Sequence, residues 1–176
     1  MYSKGQYSQL ISTLNSISPT GSTDQLFGLR ESYAAFGRNK ETDENGNDIP
    51  KKRVVIMITD GAPNNRYRII GYEPNYPYNP IYGGDPDLSW TNIMGAADNL
   101  EEDYDATVYT IGVAVNGIKG TDPDTNQTVD IINLLKKTAT EERYGFNAPT
   151  GRELVQAILD IVEGLIKAIS ILDEVI

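Results

Sequence analysis

The chain predicts an α/β fold, three α/β/α layers around a mainly parallel sheet, on three observations. The run Val54 to Thr59 is apolar or β-branched throughout and stops at Asp60-Gly61. A continuous apolar run bounded by turn residues reads as a central parallel strand that calls for burial on both faces. A second such run, ATVYTIGVAV, spans Ala106 to Val115. Segments of helical period alternate with these runs, as right-handed βαβ crossovers require.

Taken in order, Tyr7 to Ile17 places Leu10, Ile11, Leu14 and Ile17 on one helical face. Ser18-Pro19-Thr20-Gly21 breaks that pattern, and Ser22-Thr23-Asp24-Gln25 has the form of a capping box opening a second helix. Its apolar face is Leu26, Phe27, Leu29, Tyr33 and Ala34. Residues 38–52 are polar, with Asn45-Gly46 as a turn signal, and read as a surface loop. After the strand Arg53 to Thr59, residues 62–87 are rich in Pro, Asn, Gly and Tyr and read as a long irregular insertion. Leu88 to Asp103 forms a helix presenting Trp90, Ile93, Met94, Ala97, Leu100 and Tyr104. A polar loop over residues 116–128 follows the second strand. A helix over Val129 to Thr140 uses Ile131, Ile132, Leu134 and Leu135, and a short strand covers Tyr144 to Asn147. Thr150-Gly151-Arg152-Glu153 is a capping box for a last helix that buries Leu154, Val155, Ile158, Ile161, Val162 and Leu165. Residues 1–176 read as one domain without internal repeats.

Composition removes many chemistries. There is no cysteine, which excludes disulfides, thiolate metal sites and cysteine nucleophiles. There is no histidine, which excludes imidazole bases, Ser-His-Asp triads and ordinary zinc sites. Any metal must be a hard cation held by oxygen. The formal charge of −10 argues against nucleic acid or an anionic membrane as partner. The start, MYSKGQYSQ, lacks the apolar core of a signal peptide. Charges at Asp160, Glu163, Lys167, Asp173 and Glu174 keep the last helix from being a membrane span.

Asp60 is a carboxylate delivered to the carboxyl edge of the sheet, where open α/β sheets bind ligands. Asp60-Gly61 is also an ordinary strand-ending turn, and Thr23 is also an ordinary helix cap. Together, a hydroxyl at a helix N-terminus and a carboxylate at a strand end can converge on one cation. The insertion holds Tyr67, Tyr72, Tyr76, Tyr78 and Tyr82. Such residues make adaptable contact surfaces in paratopes, and they serve equally to pack a loop onto its own domain. Asp122-Pro123-Asp124-Thr125-Asn126 has the spacing of an EF-hand opening, but Gln127 and Asn133 stand where that loop needs Gly and Glu, so it reads as a solvated loop. Asn126-Gln127-Thr128 matches a glycosylation acceptor.

The pieces GSTDQLFGL, RVVIMITDG, ATVYTIGVAV, YGFNAP and GRELVQAILDIVEGL resemble, in order and spacing, the von Willebrand factor A domain. The resemblance implies a Rossmann-like doubly wound sheet with a metal-ion-dependent adhesion site at its carboxyl edge. By match, Thr23 and Asp60 are metal ligands for Mg²⁺ or Mn²⁺, and an acidic side chain of a protein partner completes the coordination. The family's Asp-x-Ser-x-Ser motif is absent, and so are its first strands, so the chain corresponds to the C-terminal part of that domain with an incomplete site. The strand Val54 to Ile58 is then expected to present an unpaired apolar edge, open to a self-dimer or a complementing chain. The tyrosine-rich insertion and the lack of Cys and His look like bacterial surface or pilus-tip adhesins, which implies an extracellular or cell-surface location and no enzymatic activity. Two alternatives stand beside this: a structural domain of the same type without a working metal site, and a Mg²⁺-dependent Rossmann-like phosphohydrolase using Asp60.

Overall fold

The computed structural model describes residues 23–38, 44–46, 52–63, 68–73, 76–83 and 88–173. The expected helix Tyr7 to Ile17 lies outside them. Four α-helices are described: α1 (Gln25–Arg38), α2 (Trp90–Tyr104), α3 (Ile131–Thr138) and α4 (Gly151–Asp173). The strands are β1 (Arg53–Thr59), β2 (Arg68–Glu73), β3 (Tyr76–Gly83), β4 (Ala106–Val113), β5 (Lys119–Thr121), β6 (Thr128–Asp130) and β7 (Gly145–Ala148).

The central sheet is parallel, in the order β1-β4-β7. β1 ends where its apolar run does, at Thr59, and begins one residue before it, at Arg53. It pairs with β4 along its whole length, from Arg53 opposite Ala106 to Thr59 opposite Gly112. β4 is buried from Ala106 to Gly112, as the central strand of a parallel sheet should be. On one face, Val55, Met57 and Val108 pack with Leu26 and Leu29 of α1, Trp90, Ile93, Ala97 and Leu100 of α2, and Ile131, Leu134 and Leu135 of α3. On the other face, Tyr109 and Ile111 pack with Ala157 and Ile161 of α4. The mixed α/β, mainly parallel architecture expected from the sequence is thus present.

Local chemistry explains the boundaries. Ser89 caps α2 by accepting from the Asn92 N–H at 3.2 Å, and Asp105 ends that helix in a left-handed conformation. Thr110 is fully buried, and its hydroxyl donates to the Leu135 carbonyl at 2.8 Å, which fixes the end of α3 against β4. The box at Thr150 forms as expected: its N–H and hydroxyl both donate to a Glu153 carboxylate oxygen at 2.9 Å. No described helix is long and apolar enough to cross a membrane.

Several expectations are corrected. The insertion is not irregular throughout, because β2 and β3 form an antiparallel hairpin in which Ile69 faces Tyr82 and Tyr72 faces Pro80. Its Ile and Tyr content favours strands, and proline is tolerated in a two-stranded ribbon. The polar loop after β4 likewise holds a small hairpin, with Lys119 opposite Asp130. Phe27 is exposed rather than part of the α1 core face. Val155 and Val162 are exposed as well, because only one side of α4 meets β4 and β7. Finally, among the described residues β1 is fully covered on one face, while on the other only Val54 is partly buried against the α4 cluster. Ile56 and Ile58, expected to be buried, are 38% and 48% exposed.

Candidate functional site

The carboxyl ends of β1 and β4 and the N-terminus of α1 meet at the top of the sheet. A shallow cavity of about 390 Å³ there is lined by Thr23, Ile58, Thr59, Asp60 and Val113. The fold therefore brings together the two candidate metal-ligating residues, Thr23 and Asp60, from positions well apart in the chain. Asp60 is exposed at the strand end. A Cβ built on Gly61 would stand 3.5 Å from the Thr23 hydroxyl, so the turn after β1 passes directly beside the threonine.

The residue holding this corner is Gln25. A capping box would have it reach back to the helix start, with Ser22 outside the described residues. Asp24 caps α1 instead, its carboxylate accepting from the Phe27 N–H at 2.9 Å. The Gln25 side chain is only 5% exposed and crosses to the strand. Its amide donates to the Thr59 hydroxyl at 3.0 Å and to the Gly61 carbonyl at 2.9 Å. The Thr59 hydroxyl also donates to the Gly61 carbonyl at 3.1 Å. These bonds lock the Thr23 end of α1 to the Asp60 turn. The Gln25 carbonyl oxygen is buried without a partner among the described residues. Nothing in the sequence separates this role of Gln25 from a cap, because both place a glutamine in the first turn of a helix.

The donors at the cavity are a hydroxyl and a carboxylate, the oxygen set a hard cation prefers. They supply two of the roughly six positions Mg²⁺ needs, so water and another carboxylate would have to supply the rest. Among the described residues no three acidic side chains converge on one point.

The other candidate residues lie elsewhere. Tyr72 falls on β2, and Tyr76, Tyr78 and Tyr82 fall on β3. Tyr67 lies outside the described residues. The hairpin is inserted between the Asp60 turn and α2, which puts it on the same connection as the cavity. The loop 122–127 is closed by an ammonium group: Lys137 donates to both Asp122 oxygens at 2.9 and 2.8 Å and to Asp124 at 2.8 Å. Asp122, at 5% exposure, is not solvated as expected from the sequence. The Lys137 hydrogen bond holds its carboxyl below the usual range, against the opposing effect of burial.

No family model matches the chain. None of the curated proteins matches it either. Among solved structures, it is similar to the pilus adhesin SpaC of Lactobacillus rhamnosus GG in its open conformation, with 19% identity and a TM-score of 0.59. The likeness covers 94% of this chain and 22% of that one, so this chain spans about a fifth of the adhesin's length. At that identity the likeness speaks for the fold.

Proposed function

We propose that this chain is part of an adhesion module of the von Willebrand factor A type, carried on a bacterial surface protein. Thr23 and Asp60 contribute to a Mg²⁺ or Mn²⁺ site, and an acidic side chain of a protein partner completes it. The observation that carries the reading is the cavity at the carboxyl edge of a parallel sheet that Thr23 and Asp60 line together. The fold likeness to a pilus adhesin supports it. A cation held there bridges two anionic groups that would otherwise repel, and it makes capture of a carboxylate dependent on metal. The hairpin carrying Tyr72, Tyr76, Tyr78 and Tyr82 supplies partner contacts beside the site, with Tyr67 on the same insertion. This is binding chemistry, and we assign no turnover to it.

The test is Mn²⁺ titration of this chain followed by electron paramagnetic resonance, with and without acetate as a carboxylate probe. Weak Mn²⁺ binding that tightens with acetate and disappears in Asp60→Ala is expected. Asp60 is exposed, so the variant should keep its fold by circular dichroism. Mn²⁺ binding unchanged in Asp60→Ala would remove Asp60 from the site and sink the reading.

A further inference from the structure

Two tyrosines meet at the amino edge of the parallel sheet, at the opposite end from the cation cavity. Tyr33 lies in the second half of α1, and Tyr104 closes α2 just before β4. Their ring centroids stand 4.9 Å apart, with the planes at 71°. The Tyr33 hydroxyl donates to an Asp103 carboxylate oxygen at 2.5 Å. That hydrogen bond, then burial and the neighbouring Tyr104 phenol, push the Tyr33 pKa up to about 12. Tyr33 therefore keeps its proton at neutral pH, with an acceptor for it already in place.

The surroundings hold Tyr104 and leave Tyr33 accessible. Phe36 makes an edge contact with the Tyr104 ring at 5.8 Å. The Arg53 guanidinium lies 5.5 Å from that ring's centroid and donates to the Tyr104 carbonyl at 3.1 Å. Gly37 leaves room for the Tyr104 hydroxyl, which a Cβ there would approach to 2.9 Å. Tyr33 is partly exposed and lines an open cavity of about 740 Å³ between α1 and α2. A phenol gives up an electron more easily when its proton passes to a base in the same step, and less easily beside a cation. Asp103 is the base at Tyr33 and Arg53 is the cation at Tyr104, so Tyr33 is oxidised first, with Tyr104 in contact. A second pair, Tyr109 and Tyr144, has its rings 4.6 Å apart. There Tyr109 is buried, and the Arg143 guanidinium lies 5.1 Å over the Tyr144 ring and donates to its hydroxyl at 3.3 Å. Burial shields the one and the cation opposes electron loss from the other, so proximity alone does not select that pair.

We infer that Tyr33 and Tyr104 form an oxidative modification site, where a small one-electron oxidant derived from a peroxide joins α1 to α2 through a dityrosine link. Each ring gives up one electron and its phenolic proton, which passes through Asp103 for Tyr33 and directly to water for Tyr104. The two radicals couple through one ortho carbon of each ring. The two ortho hydrogens then shift to restore both phenols, for a net loss of two hydrogens. The two electrons cleave the O–O bond of the peroxide. The chain has no cysteine for a disulfide. The link does what a disulfide would, closing a loop of about 70 residues that contains β1 and the tyrosine-rich insertion.

The test is photolysis of the dilute chain with ruthenium trisbipyridyl and persulfate. The monomer is then isolated, digested and read by mass spectrometry. The expected product is a Tyr33–Tyr104 linked peptide lighter by two hydrogens than its parts. It should be absent from Tyr33→Phe and from Tyr104→Phe, which keep both rings. It should form roughly ten-fold more slowly in Asp103→Asn, the loss expected when a positioned proton acceptor is removed. Asp103 is exposed, so that variant should fold. The linked monomer should also unfold at a higher temperature than the untreated chain. Dityrosine found only in the insertion, only at Tyr109–Tyr144 or only between chains overturns the inference. So does a Tyr33–Tyr104 link whose rate ignores Asp103→Asn.

Discussion

The replacement Gln25→Met should be almost neutral for stability, although it removes two buried hydrogen bonds. Gln25 donates to the Thr59 hydroxyl and the Gly61 carbonyl. Losing two such bonds costs about 2 kcal/mol at the usual net value of about 1 each. The same side chain buries a carbonyl oxygen without a partner among the described residues, and removing that oxygen recovers about 1–3 kcal/mol. The Gly61 carbonyl keeps the Thr59 hydroxyl as a donor, so no new orphan appears there. Methionine has nearly the same volume and fills the space. The terms nearly cancel, and the net change should stay within about 1 kcal/mol. Gln25→Ala makes the same exchange of polar terms but also deletes buried methylene groups and opens a cavity, so it should cost roughly 2 kcal/mol more. Urea unfolding of the three proteins, with equal m-values as the check on two-state behaviour, measures both differences. A loss of 3 kcal/mol or more in Gln25→Met would mean that the carbonyl oxygen has a partner, and the account of this corner would fail.

Three further outcomes follow from the structure. Gly145→Ala should destabilise by about 1–3 kcal/mol in the same assay, because its Cβ would stand 2.7 Å from the Lys136 Cα, a backbone atom that cannot step aside. Asp122 has a depressed carboxyl pKa, first through its hydrogen bond from Lys137. Its stabilising contribution is therefore complete above the ordinary value of 3.8 and is lost as pH falls through the lower folded value. Stability of the native chain should fall toward that of Asp122→Asn as the pH drops below about 4, and parallel pH curves for the two proteins would refute this. Leu159→Glu should leave thermal stability unchanged and raise solubility, since the leucine is 55% exposed on the chain alone.

How far the fold was legible depended on whether a signal was local. β1 and β4 were readable because a buried parallel strand carries its environment in its own residues, and the end of β1 fell where the apolar run met Asp60. The box at Thr150 was readable because cap and partner are three residues apart. The hairpin of β2 and β3 was hidden by its prolines and glycines, which mark loops more often than ribbons. Gln25 was misread because its partners, Thr59 and Gly61, are more than thirty residues away in the chain. The meeting of Thr23 and Asp60 at one cavity was readable from a hydroxyl at a helix start and a carboxylate at a strand end, and the family resemblance added only the expectation that they hold a metal. The exposure of Val155 and Val162 was unreadable, since an apolar stripe looks the same whether or not something covers it.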